Sequence, residues 1–323
     1  MNGSDIRAAL TAMLSGKMDT PQIVDTLIQI EAEGVGAEQL AAGAAVMREH
    51  MTRVTVPENA IDIVGTGGTG LKLLSISTAT AFVVAGAGAG VPVAKHGNRG
   101  ASSPTGTADT QSELGINIAM SPERAAAAVS EVGMGFLFAP TYHPAMRFVG
   151  PARKQIGKRT IFNRLGPLSN PAEVKTMLLG TSESHLVRPM LEALKANGVS
   201  SAMVVHGHDG MDEITTTGPT SVAQLGQGKI TEFEMTPGEF ELKQATLSDL
   251  SGGEPDVNAA ALTALLGGEA SAYRDIVLLN AGAALNIAGN ASDIKQGIAL
   301  AAESIDSGKA KSVLTRLAEF SHG

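Results

Sequence analysis

The feature that most constrains this chain is a regular alternation that begins near residue 60. Short apolar runs rich in β-branched residues alternate there with alanine-rich stretches of helical length. The predicted strands are residues 61–64, 91–94, 135–139, 176–180 and 202–206. The helices predicted between them are residues 77–87, 106–114, 144–156 and 186–196. Because such alternation is typical of β-α units, it predicts an α/β fold around a mainly parallel central sheet.

The segments that flank this alternating region have different patterns. The first fifty residues read as three short amphipathic helices, which cannot bury their apolar faces on their own. Residues 220–242 read as antiparallel strands, and the chain is mostly helical from residue 257 onward. We therefore predict a small helical domain over residues 1–58, completed by later helices, and an α/β domain over residues 59–323.

Composition narrows the classes of function. The 323 residues include no Cys, which excludes disulfides, Cys-ligated metals and a thiolate nucleophile. The net charge of −8 argues against a broad nucleic-acid surface, which needs a basic face. The N-terminus lacks the pattern of a secretory signal, and the long uncharged stretch at 75–94 is interrupted by Gly and Pro. We expect a cytoplasmic protein that binds neither nucleic acid nor membrane.

A glycine-rich turn, GTGGTG at 65–70, follows the first predicted strand. Glycines let backbone N–H groups approach an anion closely, and the helix that opens at Ser77-Thr78 adds partial positive charge. The turn lacks both the Gly-Lys-Ser/Thr ending of a P-loop and the spacing of a dinucleotide-binding turn. It indicates a phosphate cradle, although an ordinary strand-to-loop turn would use the same residues.

The segment KHGNRGASS at 95–103 follows the second predicted strand. It places two cations, a histidine, an amide and two hydroxyls at the carboxyl edge of the sheet, where open α/β sheets bind ligands. The cations stand alone in an uncharged neighbourhood, which favours a compact anionic ligand over a polar surface loop.

The segment HGHDGMDE at 206–213 follows the last predicted strand. Asp212 and Glu213 could bind Mg²⁺ through oxygen ligands, although adjacent acidic pairs are also common on solvated surfaces. His206 and His208 would point the same way on an extended segment, so zinc is conceivable. No third zinc ligand is evident, which favours a packing role for one of the two histidines.

A fourth segment, FAPTYHP at 138–144, leads into a helix with a basic face. His143 lies near the start of that helix and could contact an aromatic or carboxylate ligand. Arg153 could hold a carboxylate through two parallel hydrogen bonds. Lys154 and Lys158 read as a solvated helix face.

Taken together, these motifs resemble the anthranilate phosphoribosyltransferase family over nearly the whole chain. The motifs that carry the resemblance are GTGG (65–68), SIST (75–78), KHGNR (95–99), SS (102–103), GTAD (106–109), FLFAPTYHPAM (136–146), RTIFNRLGPLSNPA (159–172) and VVHGHDGMDEIT (204–215). The resemblance implies transfer of the phosphoribosyl group of 5-phosphoribosyl 1-pyrophosphate (PRPP) to anthranilate, with release of pyrophosphate, in tryptophan biosynthesis. It also implies a nucleoside phosphorylase-like fold, Mg²⁺ and a homodimer.

The same resemblance implies roles for individual residues. The PRPP-binding residues would be Gly65, Gly68, Thr69, Ser75, Ser77, Thr78, Lys95, His96, Gly97, Asn98, Arg99, Ser102, Ser103 and Thr107. The anthranilate-binding residues would be Gly65, Asn98, His143 and Arg153, and Mg²⁺ would be held by Ser77, Asp212 and Glu213. Lys95 would stabilise the leaving pyrophosphate electrostatically. We expect no general base, because the neutral amine of anthranilate needs positioning more than deprotonation.

The chain departs from the usual family residues mainly on the PRPP side. Thr69 replaces a usual Asp, Ser75 a usual Asn, and Leu73 a residue that commonly bears a hydroxyl. Pro104 stands where Lys is frequent, and Thr107 where Ser is frequent. These departures leave open a related phosphoribosyltransferase or nucleoside phosphorylase with another acceptor. A non-catalytic relative that binds nucleic acid is the alternative from a different class, and the net charge counts against it.

Overall fold

The computed structural model describes residues 1–88, 90–100 and 105–323, so the predicted contacts of Ser102 and Ser103 lie outside the described residues. The described part contains a seven-stranded sheet in the order β3-β2-β1-β4-β5-β6-β7. Its strands are β1 (Ile61–Gly65), β2 (Val93–Gly97), β3 (Met134–Phe138), β4 (Thr176–Gly180), β5 (Ser201–Gly207), β6 (Thr220–Gly226) and β7 (Lys229–Met235).

The pairing of the strands confirms the predicted α/β class. Strands β1 to β5 pair with one another in parallel, whereas β6 and β7 extend the β5 edge in antiparallel pairing. Strand β1 lies between β2 and β4, so the chain builds the sheet first on one side of β1 and then on the other. In open α/β sheets, ligands bind outside the carboxyl ends of the strands at such a reversal.

Helices pack against this sheet and against one another. They are α1 (Gly3–Leu14), α2 (Thr20–Glu33), α3 (Ala37–Glu49), α4 (Ile76–Gly86), α5 (Thr107–Glu113), α6 (Pro122–Glu131), α7 (Ala139–Tyr142), α8 (Gly150–Ile156), α9 (Ile161–Leu165), α10 (Val187–Ala196), α11 (Pro255–Leu266), α12 (Ala272–Ile287), α13 (Ile294–Asp306) and α14 (Lys309–Ser321). Helix α4 is buried almost throughout and packs against α12 and α14. None of the helices in the described ranges is long and apolar enough to cross a membrane.

The N-terminal helical region packs on later parts of the chain. Helix α2 contacts α8 and α9, and α3 contacts α9 and packs along α10. Arg48, which is buried in α3, donates to the carbonyl of Leu168 at 3.0 Å and to the carbonyl of Asn197 at 2.7 Å. These contacts attach the region to the α/β part, and a domain boundary at residue 58 stays a prediction.

Two predicted elements were wrong in their bounds by more than about one residue. The strand predicted at 91–94 is β2, which continues to Gly97 because its pairing with β3 extends that far. Lys95 and His96 therefore lie buried within a strand and not in the loop after it. The helix predicted at 144–156 is interrupted: a 3-10 turn ends at Phe148 and α8 begins at Gly150. Pro151 lies in the first turn of α8, where its missing N–H does no harm.

Candidate active site

A cavity of about 600 Å³ lies at the carboxyl ends of β1, β2 and β3. Every described residue that the sequence marked as a ligand-binding candidate lines it: Gly65, Gly68, Thr69, Ser75, Ser77, Thr78, Lys95, His96, Gly97, Asn98, Arg99, Thr107, His143, Arg153, Asp212 and Glu213. We distinguish two sets among the lining residues. The glycine group comprises Gly65–Gly68, Ser77, Lys95, Asp212 and Glu213, and the histidine group comprises His96, His143, Arg153, Phe162 and Asn163.

Two glycines make room for Asp212 at the edge of the sheet. Gly65 of β1 and Gly180 of β4 are partners in register. A Cβ atom on Gly65 would lie 2.2 Å from Asp212 Oδ2, and one on Gly180 would lie 1.6 Å from the Asp212 carbonyl oxygen. The sequence interpretation assigned Gly65 to ligand binding and missed Gly180. In the structure both glycines are required by the close approach of the Asp212 backbone and side chain.

The glycine turn after β1 is fixed by this same carboxylate. Gly67 and Gly68 have φ values of +64° and +71°, a left-handed conformation that favours glycine. The N–H of Gly67 donates to Asp212 Oδ2 at 2.7 Å. The Thr69 hydroxyl accepts a hydrogen bond from the N–H of Leu71 at 3.1 Å, so this side chain stabilises the turn.

Asp212 and Glu213 form a half-buried acidic pair in the cavity wall. Asn280 of α12 holds the backbone directly after them: its Oδ1 accepts from the N–H of Ile214 at 3.0 Å and its Nδ2 donates to the Ile214 carbonyl at 2.8 Å. Burial raises the pKa of Asp212, and burial together with the charge of Asp212 raises the pKa of Glu213 to about 8. A divalent cation would relieve this repulsion.

Lys95 lies at the base of the acidic pair. Its side chain is buried, and its Nζ donates to the carbonyl of Ile63 at 2.5 Å and to Ser77 Oγ at 3.2 Å. Burial lowers the pKa of Lys95, while the nearby carboxylates of Asp62, Glu213 and Asp212 oppose that shift. Since an ammonium has three donors, one N–H has no acceptor among the residues that the structure describes and is open to a ligand. The cation is therefore placed by the protein before any ligand binds.

Asp62 is a buried carboxylate that the sequence analysis did not single out. It accepts hydrogen bonds from the N–H of His96 at 3.2 Å and from Asn170 Nδ2 at 2.8 Å. Burial raises its pKa to about 6, although the charge of Lys95 opposes the shift. Because it lies inside β1, no local pattern of charge or glycine marks it. Its contacts join β1, β2 and the segment after α9 beneath the cavity.

Two of the predicted PRPP-binding side chains are engaged with the protein. Ser75 Oγ lies 2.7 Å from Thr110 Oγ1 and accepts from Asn258 Nδ2 at 3.3 Å. The guanidinium of Arg99 is largely exposed and pairs with Asp109 at 2.7 Å. The side chain of Ser75 therefore links α4 to α5 and α11. The charge of Arg99 is balanced by Asp109 beside the cavity.

The two histidines of the histidine group form an uncharged part of the cavity wall. The rings of His96 and His143 are buried, with their centroids 5.2 Å apart. Burial lowers the pKa of His143 to about 4 and that of His96 well below its usual range, so both rings are neutral at pH 7. This wall of the cavity suits an uncharged aromatic ring.

Arg153 supplies the positive charge of the histidine group. Its Nη2 donates to Asn163 Oδ1 at 3.3 Å, and its guanidinium lies 5.9 Å from the centre of the Phe162 ring. Burial lowers its pKa, and no ion pair to it is found among residues 1–88, 90–100 and 105–323. Phe162 and Asn163 were not predicted as individual site residues, although both lie in the RTIFNRLG segment.

The structure gives His206 and His208 separate environments. His206 lies buried in β5 with its Nδ1 2.8 Å from the carbonyl oxygen of Thr181. His208 lies beyond the strand, with its Nε2 2.8 Å from Ser221 Oγ. Within the described part of the chain, no three His, Cys, Asp or Glu residues are arranged to hold a metal ion. The packing role favoured for one histidine fits His206.

Comparisons with known proteins agree with this geometry. Residues 57–311 match the a/b domain of the glycosyl transferase family. The anthranilate phosphoribosyltransferase of Parvibaculum lavamentivorans is 52% identical over 323 residues, which cover 100% of this chain and 94% of that protein. The chain belongs to the anthranilate phosphoribosyltransferase family. The Mesorhizobium japonicum member is 50% identical over 319 residues, with 99% of this chain and 94% of that protein covered.

Solved anthranilate phosphoribosyltransferases share the fold along the whole chain. The Thermus thermophilus structure has a TM-score of 0.94 and 40% sequence identity, and covers 100% of this chain and 96% of that chain. The Saccharomyces cerevisiae structure in complex with PRPP and Mg has a TM-score of 0.91 and 28% identity, with 100% and 94% covered. The resemblance stated from the sequence motifs is confirmed, and the chain is a phosphoribosyltransferase.

Proposed function

We propose that this protein transfers the phosphoribosyl group of PRPP to the amine of anthranilate, releasing pyrophosphate, as a step of tryptophan biosynthesis. The proposal rests on one observation: a single cavity is lined by two sets of residues that suit two chemically different ligands. The glycine group offers amide N–H groups, an ammonium and an acidic pair, which together suit a metal-bound polyanion. The histidine group offers one guanidinium in an uncharged aromatic wall, which suits an aromatic acid.

Mg²⁺ fits the donors that the glycine group presents. The carboxylates of Asp212 and Glu213 and the hydroxyl of Ser77 are hard oxygen ligands, and Mg²⁺ is usually bound by one or two carboxylates with substrate phosphates and water. The related Saccharomyces cerevisiae enzyme was solved with PRPP and Mg. When bound, Mg²⁺ would neutralise charge that develops on the leaving pyrophosphate.

The residues of the glycine group would bind PRPP and lower the barrier to pyrophosphate departure. The turn at Gly67 and Gly68 presents backbone N–H groups, and Lys95 keeps one donor for an anionic oxygen. These groups are already held in place, so they need no reorganisation as negative charge builds on the leaving group. Gly97, Asn98 and Thr107 line the same side of the cavity and complete the PRPP site that we propose.

The residues of the histidine group would place anthranilate. Arg153 would hold its carboxylate beside the neutral ring of His143. We place the neutral ring of His96 on this side as well, because it packs against His143, although the family resemblance assigned it to PRPP. The amine nitrogen is itself neutral near pH 7, so positioning is sufficient and no general base is required. We propose that Asn98 and Gly65 border the position where the two substrates meet.

We further propose that the protein is a cytoplasmic homodimer built of a helical domain, residues 1–58 with later helices, and an α/β domain. The exposed apolar side chain of Ile28 on α2 supports an interface on the helical region. Sedimentation of the purified protein tests the dimer, and a monomer at micromolar concentration would contradict it.

The loss of anthranilate fluorescence tests the proposed activity. With saturating PRPP and Mg²⁺, we expect fluorescence to fall as pyrophosphate is released in equal amount. Omitting either PRPP or Mg²⁺ should abolish both signals. Unchanged fluorescence with all components present would contradict the proposal. Phosphorolysis of thymidine, measured in parallel, would instead support the alternative of a nucleoside phosphorylase.

A further inference from the structure

Two side chains hold the glycine turn from the side away from the cavity. Ser182 Oγ donates to the carbonyl of Gly67 at 3.0 Å, to which the Thr66 hydroxyl also donates at 3.2 Å, and Arg159 Nη1 donates to the carbonyl of Gly68 at 3.3 Å. Arg159 Nη1 also donates to Ser182 Oγ at 2.6 Å. Gly67, Gly68 and Thr69 line the cavity, whereas neither Arg159 nor Ser182 does. We call Arg159 and Ser182 the turn bracket.

The turn bracket fixes the direction of the next two amide groups. In a planar trans peptide, the N–H points opposite to the carbonyl of the residue before it. The carbonyls of Gly67 and Gly68 face the bracket, so the N–H groups of Gly68 and Thr69 face the opposite way, toward the cavity. In the part of the chain that the structure describes, neither N–H has a hydrogen-bond acceptor. Both are available to an anionic oxygen.

The turn bracket is itself anchored by a chain of ion pairs. Arg159 Nη2 lies 3.5 Å from Glu183 Oε1, and Glu183 accepts two hydrogen bonds from Arg164, at 3.0 and 2.8 Å. Arg164 also donates to both carboxylate oxygens of Glu31 in α2, at 2.9 and 2.8 Å. Bidentate pairs of this kind fix geometry as well as charge. The guanidinium of Arg159 is therefore held against the turn from α2 and from the segment after β4.

We propose that Arg159 and Ser182 are positioning residues that aim the N–H groups of Gly68 and Thr69 at the pyrophosphate of PRPP. This inference rests on the proposed function, because it assigns an orienting role within the proposed PRPP site. The bracket does not touch the ligand: it acts by keeping the two carbonyls turned away from it. Without the bracket, either peptide can rotate and present its carbonyl oxygen to the polyanion, which would repel it.

Substitution of each bracket residue, alone and together, tests the proposal. We expect Arg159→Met to raise the dissociation constant of PRPP with Mg²⁺, measured by calorimetry, about 10- to 50-fold, and Ser182→Ala about 3- to 10-fold. The double variant should raise it by less than the product of the two factors, because both side chains hold the same turn. The KM for anthranilate should stay within about twofold in all three.

The control variant is Arg188→Met, which removes an exposed arginine of α10 that pairs with Glu192 and Glu232 and does not line the cavity, and which should leave PRPP binding unchanged. Ser182→Ala alters no charge, so normal PRPP binding in that variant, with weakened binding in Arg159→Met, would show that Arg159 acts by charge alone and would overturn the proposal. Equal losses for PRPP and anthranilate would also overturn it. A wild-type protein that binds no PRPP would instead contradict the proposed function.

Discussion

The glycine group and the histidine group line one cavity but are built in different ways. The glycine group consists of backbone at the end of β1 and in the turn after it, the Ser77 hydroxyl, a buried lysine and an acidic pair, so its charges are held close to opposite charges. The histidine group consists of side chains from β2 and from the segment of short helices α7 to α9, and its one guanidinium has no ion-pair partner among the described residues. We infer from this difference that a metal-bound polyanion is bound by opposite charges that the protein already holds in place. A single carboxylate, in contrast, is bound by one cation that has no other partner.

Removing the acidic pair should have the largest effect on activity, and this effect should concern PRPP and not anthranilate. We expect Asp212→Asn combined with Glu213→Gln to lower kcat/KM for PRPP by about 10³-fold, because two of the oxygen ligands proposed for Mg²⁺ lose their charge. The KM for anthranilate should change little. Steady-state kinetics over a range of Mg²⁺ concentrations measure both, with Asp256→Asn, an exposed carboxylate on α11, as the control. A loss shared equally by both substrates would remove the distinction between the two groups.

Removing the cation of the histidine group should give the reverse pattern. We expect Arg153→Met to raise the KM for anthranilate about 100-fold, because a charge-assisted bidentate contact to its carboxylate is lost, and to leave the KM for PRPP within about threefold. Lys154→Met is the matched control, since Lys154 is exposed on the same helix. If Arg153→Met weakened PRPP as much as anthranilate, the assignment of Arg153 to the aromatic acid would be wrong.

The neutral histidines predict a pH dependence of stability. His143 has a folded pKa of about 4, below the ordinary value of about 6.5, so the unfolded chain takes up a proton first as the pH falls. Stability is therefore lost between about pH 6.5 and 4, and His143 alone contributes about 2 kcal/mol of loss between pH 8 and pH 5. Urea unfolding at the two pH values should show a smaller loss in His143→Asn than in the wild type. Equal losses of stability in the two proteins would mean that folding does not lower the pKa of His143.

The smallest effect should come from Ser75, whose hydroxyl faces the protein. Ser75→Ala removes contacts to Thr110 and Asn258, which should lower stability by about 1 kcal/mol and Tm by about 2 °C. The KM for PRPP should change less than about twofold. A rise of tenfold or more, without a change in Tm, would restore Ser75 to the PRPP site that the sequence resemblance implied.

The two groups also differ in how far the sequence predicts them. Glycines and charges at strand ends indicate the cavity, because parallel strands bring their carboxyl ends to one edge. Gly180 and Asn280 escape prediction, since each acts on the Asp212–Ile214 segment from a distant part of the chain. The neutral state of His143 escapes it too, because burial depends on packing that no local pattern contains. The motifs therefore predict which residues meet the ligands, and tertiary contacts decide how those residues are held.

A structure of the protein with PRPP, Mg²⁺ and a fluorinated anthranilate bound together would test the division of the cavity most directly. We expect pyrophosphate oxygens within hydrogen-bond distance of the N–H groups of Gly68 and Thr69, the metal on Asp212 and Glu213, and the aromatic carboxylate on Arg153. Pyrophosphate bound at Arg153, or the aromatic acid bound at the glycine turn, would contradict the roles assigned to the two groups.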